Sequence, residues 1–275
     1  MRFVLIAILF VSSAYAGPFA PAVGKTGTTA IHKSAPNIVG WATSVTGTLR
    51  GPTNISDPNS LPASQGTVAD VLGLADTDIS DSFDVLSLGD GGKITVAFAN
   101  PITNGPGADF AVFENSINDT FLELAFVEVS TDGIVFVRFP AVSYTQTNTQ
   151  VGGFDSLDAT NLYNFAGKYR RGYGTPFDLA ELSGKPGINL EQINFVRIVD
   201  VVGSINPAYA SHDSRYDNSQ DPLLYMVNDP WTTDFDTGGF DLDAVAVLHQ
   251  IIPEPGSATL LLLGGALLTR RRRTH

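Results

Sequence analysis

Two aspartates separated by one residue, Asp241 and Asp243 in the stretch GFDLDAVAV, are the strongest candidates for chemistry in this chain. On a strand, residues i and i+2 leave the same face, so the two carboxylates would stand side by side, close to Asp234 and Asp236 in the preceding loop. Like charges at that spacing repel unless water or a cation screens them. Hard oxygen ligands of this kind suit calcium, with Asp109 and Glu114 of GADFAVFEN and backbone carbonyls completing the set. The competing reading is a solvated turn capped by aspartates. The spacing is not that of an EF-hand, because with Asp234 at position one, position twelve is Val245 where a glutamate belongs.

A second group is aromatic and basic. AGKYRRGYGTPF places Tyr169, Arg170, Arg171 and Tyr173 among glycines. Aromatic faces stack on sugar rings and guanidinium groups donate to hydroxyls and carboxylates, so these four are the expected ligand contacts; the alternative is a lid packed on the edge of the core. Asp132 is read as a turn residue and Arg197 as a structural partner of a nearby acid.

Motifs for catalysis are lacking. Gly24-Lys25-Thr26 ends like a phosphate loop, but Phe19 stands where its first glycine belongs. Neither G-x-S-x-G nor H-E-x-x-H occurs. Of the four histidines, His212 beside Asp213 is the one with a possible catalytic neighbour. A pair of carboxylates acting on a glycosidic bond stays open, since acids are plentiful.

The elements that must position these residues are strands. LSLGDGGKITVAFANPI sets a glycine-rich turn before a strand whose Ile94, Val96 and Phe98 share a face. ADFAVFEN, FLELAFVEVS, IVFVRF, INFVRIVDVVG and GFDLDAVAVLHQII follow as further strands, with Asp132-Gly133 as a hairpin turn. Val151 to Gly187 lacks alternation and reads as an elaborated loop, holding one short helix with Thr175 as its cap, Pro176 at its first position and Gly184 as its stop. Many strands without long helices predict an all-β fold, a jelly-roll β-sandwich with long loops. Residues 17–62, rich in Gly, Pro, Ser and Thr, are expected to form an extended arm packed on a sandwich domain at 63–252.

The two ends are of another kind. Arg2, an apolar run from Phe3 to Val11, and Ala14-Tyr15-Ala16 form a signal peptide over residues 1–16, with signal peptidase cutting before Gly17. At the other end Pro253-Glu254-Pro255 precedes an apolar run of roughly 12 residues and then Arg270, Arg271, Arg272 and Arg273. As a helix that run spans roughly 18 Å, short of the roughly 30 Å hydrocarbon core of a bilayer, so it reads as a targeting device making transient membrane contact rather than as a permanent anchor. Without these ends the body carries a charge of about −16, which repels nucleic acid and favours cations. No cysteine is present, so any brace beyond packing must be a metal.

The tail at 253–275 resembles the PEP-CTERM sorting signal of Gram-negative bacteria that make extracellular polysaccharide. That resemblance implies an exosortase-type processing enzyme as a partner, and a destination at the cell envelope surface or in the extracellular matrix. The same tail occurs on some ice-binding proteins. VEVSTDGIVF, FVRIVD and FDLDAVAV are similar to the galactose-binding-like, or discoidin-like, jelly roll, with Phe136 in place of its usual tryptophan. The body also resembles exported surface proteins that carry LGDGGxIT, GPGADFAVFEN and GGFDLDAV. Together these imply an exported surface or matrix protein with a glycan-binding or structural sandwich that contacts extracellular polysaccharide and no nucleic acid. A glycan-acting hydrolase is the first alternative. An ice-binding protein, suggested by the tail and by Thr145, Thr147 and Thr149, is the second.

Overall fold

The computed structural model describes residues 17–77, 84–212 and 226–251. The signal peptide, the sorting tail from Pro253 to Arg273, and Asp213 lie outside the described residues. Among the described residues the fold is an all-β sandwich made from one strongly curled antiparallel sheet, and no helix is long and apolar enough to cross a membrane.

The strands are β1 (Ile31–His32), β2 (Gly40–Leu49), β3 (Leu86–Ser87), β4 (Lys93–Ile102), β5 (Phe110–Glu114), β6 (Ala125–Ser130), β7 (Val137–Arg138), β8 (Val142–Ser143), β9 (Leu162–Tyr163), β10 (Tyr173–Phe177), β11 (Ile193–Asp200) and β12 (Asp241–Val247). The order across the main sheet is β1-β10-β5-β12-β2-β4-β11-β6-β7, with β3 paired to the start of β12 and β8-β9 forming a separate ribbon. β2 joins the two halves. Its Gly40 and Trp41 pair with Val247 and Ala246 of β12, while its remaining length runs along β4 with two register shifts. Such bulges raise local twist, which lets the sheet fold back on itself.

The pattern of burial follows from this curl. In β5, Phe110 and Val112 enter the main core between the halves, while Ala111 and Phe113 face a second cluster under Ile31, Ile38 and Trp41. β5 is therefore buried on both faces and reads as an unbroken apolar run. In β12 the core positions change parity, from Leu242 to Val245 and Val247, and the change coincides with a register shift between Leu242 and Ala244. On the other half, Val127, Val129, Val196 and Ile198 enter the main core, while Phe126, Val199 and Val201 pack under Leu157, Leu162 and Phe165. The Val151 to Gly187 segment thus supplies the cover for that face. The Phe110 and Phe177 rings stack 5.2 Å apart and both meet Phe139 edge-on.

Two expectations change. Residues 40–49 of the expected arm form β2, inside the sheet rather than outside the sandwich. Their polar look has a cause: most of β2 is exposed, and threonine favours strands without being apolar. Thr175 and Pro176 lie in β10, paired with Val112 and Ala111, so the short helix starts later. It is a 3-10 helix over Leu179–Leu182, one of three such turns among the described residues, and its cap is Asp178, whose side chain accepts from the Ala180 N–H at 2.9 Å. Thr175 and Phe177 are buried, and their burial in the sheet outweighs the capping pattern.

The Asp132-Gly133 turn joins β6 to β7, and Asp132 Oδ1 accepts from the N–H groups of Ile134 (2.8 Å) and Val135 (2.9 Å). Arg197 lies over the Phe136 ring and 3.6 Å from Glu128, a structural role.

Candidate functional site

The curl gathers strand ends at one end of the sandwich, where three terminal residues, Glu114, Asp200 and Asp241, are acidic and Glu123 and Asp229 lie in adjoining segments. Glu114 closes β5 and pairs across the ladder with Leu242, next to Asp241 at the start of β12. On the opposite half, Asp200 closes β11 and pairs with Ala125, while Glu123 lies just before β6. Asp229 comes from the later loop and accepts the Leu124 N–H at 3.0 Å. None of these five residues is more than 9% exposed.

Four of the five, all but Glu123, accept hydrogen bonds from fixed donors. Glu114 Oε2 accepts the Ser116 N–H at 2.8 Å, and Asp241 accepts from the Ser87 hydroxyl and from Asn115 Nδ2 at 3.0 Å. Asp200 accepts the N–H groups of Phe240 (2.7 Å) and Gly91 (2.8 Å), so the LGDGG turn and the GGFD segment meet over this one side chain. Other oxygens have no donor. Glu114 Oε1, Asp229 Oδ1 and Asp243 Oδ2 are buried without a hydrogen-bond partner.

The electrostatics follow from burial. Desolvation, then the charge of Asp241, raises the Glu114 carboxyl well above the usual carboxylate range. Desolvation does the same to Glu123, with the charges of Asp241, Glu114, Asp229 and Asp200 adding to it. Asp200 and Asp229 are raised well above it too, again mainly by desolvation. Asp241 is pushed up to about 7 by burial, opposed by its hydrogen bonds to Ser87 and Asn115 and by the charge of Arg50. The Arg50 guanidinium is itself committed, donating to the carbonyls of Ala63 (3.2 Å), Gln65 (2.6 Å) and Ser87 (3.1 Å).

The four expected metal residues do not form one group. Asp109 and Glu114 stand at opposite ends of β5, five residues and roughly 17 Å apart at strand rise. Asp109 is also saturated: it accepts from Gly105 N (2.7 Å) and Leu179 N (2.7 Å) and pairs with His249 Nδ1 at 2.8 Å. Asp243 sits at the register shift in β12, where the period-two pattern breaks, and turns to the Asp76 N–H at 3.3 Å. Asp234 and Asp236 are exposed. Asp241 and Glu114 remain neighbours, and the structure adds Glu123, Asp200 and Asp229. Among the described residues, no three His, Cys, Asp or Glu side chains are already arranged to hold a metal ion.

The basic loop divides in the same way. Tyr169 is buried, with its hydroxyl 2.8 Å from Thr29 Oγ1, and offers no face for stacking. Arg170, Arg171 and Tyr173 do converge, lining a cleft of about 300 Å³ with His32, Lys33 and Thr77. β1 pairs with β10, which sets the His32 ring against Tyr173 at 4.9 Å. Arg170 pairs with Asp119 at 2.6 Å and lies 5.4 Å from the Tyr173 ring, whereas Arg171 makes no ion pair among the described residues. Sequence reasoning missed His32 and Lys33, which are remote in the chain and carried no local signal.

A smaller cleft of about 220 Å³ lies at the opposite end of β5, lined by Thr103 and His249. The His249 and Asp109 pair resembles two thirds of a nucleophilic triad. Its one lining hydroxyl, Thr103, is engaged with Glu191 Oε2 at 2.6 Å, and the pair acts as a latch between β5 and the chain after β12.

No known protein-family model matches this chain, and no curated protein matches it.

Proposed function

We propose that the chain is an exported protein of the cell surface or extracellular matrix that binds an acidic polysaccharide in the cleft of Arg170, Arg171 and Tyr173. The observation that supports this is the concentration of basic side chains there: His32, Lys33, Arg170 and Arg171 line one cleft in a chain of formal net charge −12. Guanidinium groups bind sugar carboxylates through charge-assisted hydrogen bonds, and the Tyr173 ring offers a stacking face. PEP-CTERM sorting supplies the route, through signal peptidase and an exosortase-type enzyme.

Titration of the purified protein with a uronate-containing and with a neutral polysaccharide tests the cleft. The acidic polymer is expected to bind, more weakly as salt is raised, and Arg171→Ala or Tyr173→Ala to weaken it roughly tenfold, about 1.4 kcal/mol each. Equal affinity for both polymers, or affinity unchanged in both variants, overturns the reading. Release of reducing ends in the same titration would instead favour the hydrolase, for which a carboxyl pushed up to about 7, as at Asp241, is suited as an acid. The ice-binding alternative has less support, since Thr145, Thr147 and Thr149 lie in a loop curled about Gln146, not on a flat strand.

Export has its own test. Mass spectrometry of the mature protein is expected to show a chain beginning near Gly17 and lacking Arg270 to Arg273. Intact tails in the extracellular fraction would contradict the sorting reading.

A further inference from the structure

Five carboxylates from both halves of the sandwich share one buried end: Glu114, Glu123, Asp200, Asp229 and Asp241. Charges taken from water must be paired or neutralised. Among the described residues, Arg50 is the cation whose charge acts on Asp241, and its N–H groups serve backbone carbonyls. Proton uptake or a bound cation must therefore neutralise the rest.

The hydrogen bonding shows where the missing charge belongs. On Glu114 and Asp229 one oxygen is fixed by a backbone N–H and the other is left without a donor, although these residues are only 1% and 3% exposed. A donor on one oxygen and nothing on the other is how a ligating carboxylate is oriented by its outer partners. Glu123 lies just before β6, one residue from Leu124, whose N–H Asp229 accepts. All donors are oxygens, which selects a hard cation. The side chains do not yet close on a single point, and calcium tolerates this best, accepting six to eight oxygens in flexible geometry.

We infer that this end of the sandwich binds a calcium ion between its two halves, with Glu114, Glu123, Asp229 and Asp241 as protein ligands and Asp200 as the residue that ties the LGDGG turn and the GGFD segment behind them. Asp109, whose two oxygens are both taken at the far end of β5, stands apart from this group. The site clamps β5 and β12 to β6 and β11, which serves an exported chain without disulfides. It does not depend on glycan binding in the cleft.

The test uses the purified full chain. Metal is removed with chelator, removal is confirmed by elemental analysis, and melting is followed as calcium or magnesium is added. Calcium is expected to raise Tm by several degrees at a hundredfold excess over Kd, and magnesium to raise it less. Glu123→Gln and Asp229→Asn are expected to lose that response. Each also removes a buried charge while keeping an acceptor oxygen, so without metal each should melt above the metal-free wild type. Asp109→Asn should keep the calcium response whatever its own Tm. If metal-free wild-type protein does not fold, calcium retained at about one ion per chain before chelation supports the site, and its absence there overturns it. An unchanged Tm on calcium addition, or an undiminished response in both Glu123→Gln and Asp229→Asn, also overturns it.

Discussion

Gly167→Ala is expected to leave no stably folded protein, or to cost more than about 4 kcal/mol, the range reserved for severe steric and backbone faults. Gly167 has φ +79°, a conformation L residues rarely adopt, and a Cβ there would stand 1.8 Å from the Glu123 carbonyl oxygen. That carbonyl cannot retreat. The next residues form a two-way bridge, with Ala125 N donating to Ala166 O at 3.1 Å and Ala166 N donating to Ala125 O at 2.9 Å, and Ala125 is the first residue of β6. The control is Gly172→Ala. Its φ is +76° but nothing lies within 4 Å of the added atom, so it bears only the left-handed backbone cost of about 1–2 kcal/mol. Denaturant midpoints of the two variants separate the terms: similar losses would show that the Glu123 contact yields, and that strain at positive φ is the whole effect.

The strands that sequence alone reveals are those buried on at least one face. β4, β5, β6, β11 and β12 have apolar residues at period two or in unbroken runs, because their positions in the curled sheet demand it. β2 escapes because its outer face is wet and its Thr and Ser residues resemble a loop, although the curl of the sheet turns on it. β10 escapes for the opposite reason. Thr175, Pro176 and Asp178 spell a helix start, and only pairing with β5 reveals that the first two are extended.

Legibility of the acidic end is limited by distance along the chain. Asp241 and Asp243 catch the eye because they are close in sequence, yet the register shift in β12 gives them different partners. Asp109 and Glu114 share one short segment and lie at opposite ends of a strand. Glu123, Asp200 and Asp229 converge only through the sheet. A weak signal existed for two of them: Glu123 stands between Leu122 and Leu124, and Asp200 ends the run FVRIV, so each is an acid set in an apolar stretch that must be buried. The cleft lies close by. Ser116, which donates to Glu114, is followed by Ile117 of the cleft wall, and Asp76, which donates to Asp243, is followed by Thr77.

Lys168 carries the last expected effect, a stability that rises with pH on the alkaline side. Its side chain is buried, its Nζ donates to the Leu162 carbonyl at 2.7 Å, and it lies 5.5 Å from the Tyr169 ring. Burial lowers its pKa from the ordinary 10.5 to about 8, with the charge of Asp158 opposing. The sign follows from proton counts. Above about 10.5 both folded and unfolded chains hold neutral lysine, and below about 8 both hold the charged form. Between those values the unfolded chain binds the proton and the folded chain does not, so stability climbs with pH across the window. From pH 7 to pH 9.5 the gain from this one group is about 2 kcal/mol. In Lys168→Met the unbranched side chain can still cover Tyr169 but has nothing to titrate, so its stability relative to the wild type should fall by that amount over the same interval. Tyr163, pushed up to about 12 by burial and by Glu181, stays neutral throughout and does not mask the effect. Urea midpoints for both proteins at pH 7 and 9.5 decide the matter: a constant difference between them would mean that the Lys168 ammonium is solvated in the folded state and that Leu162 holds it without cost.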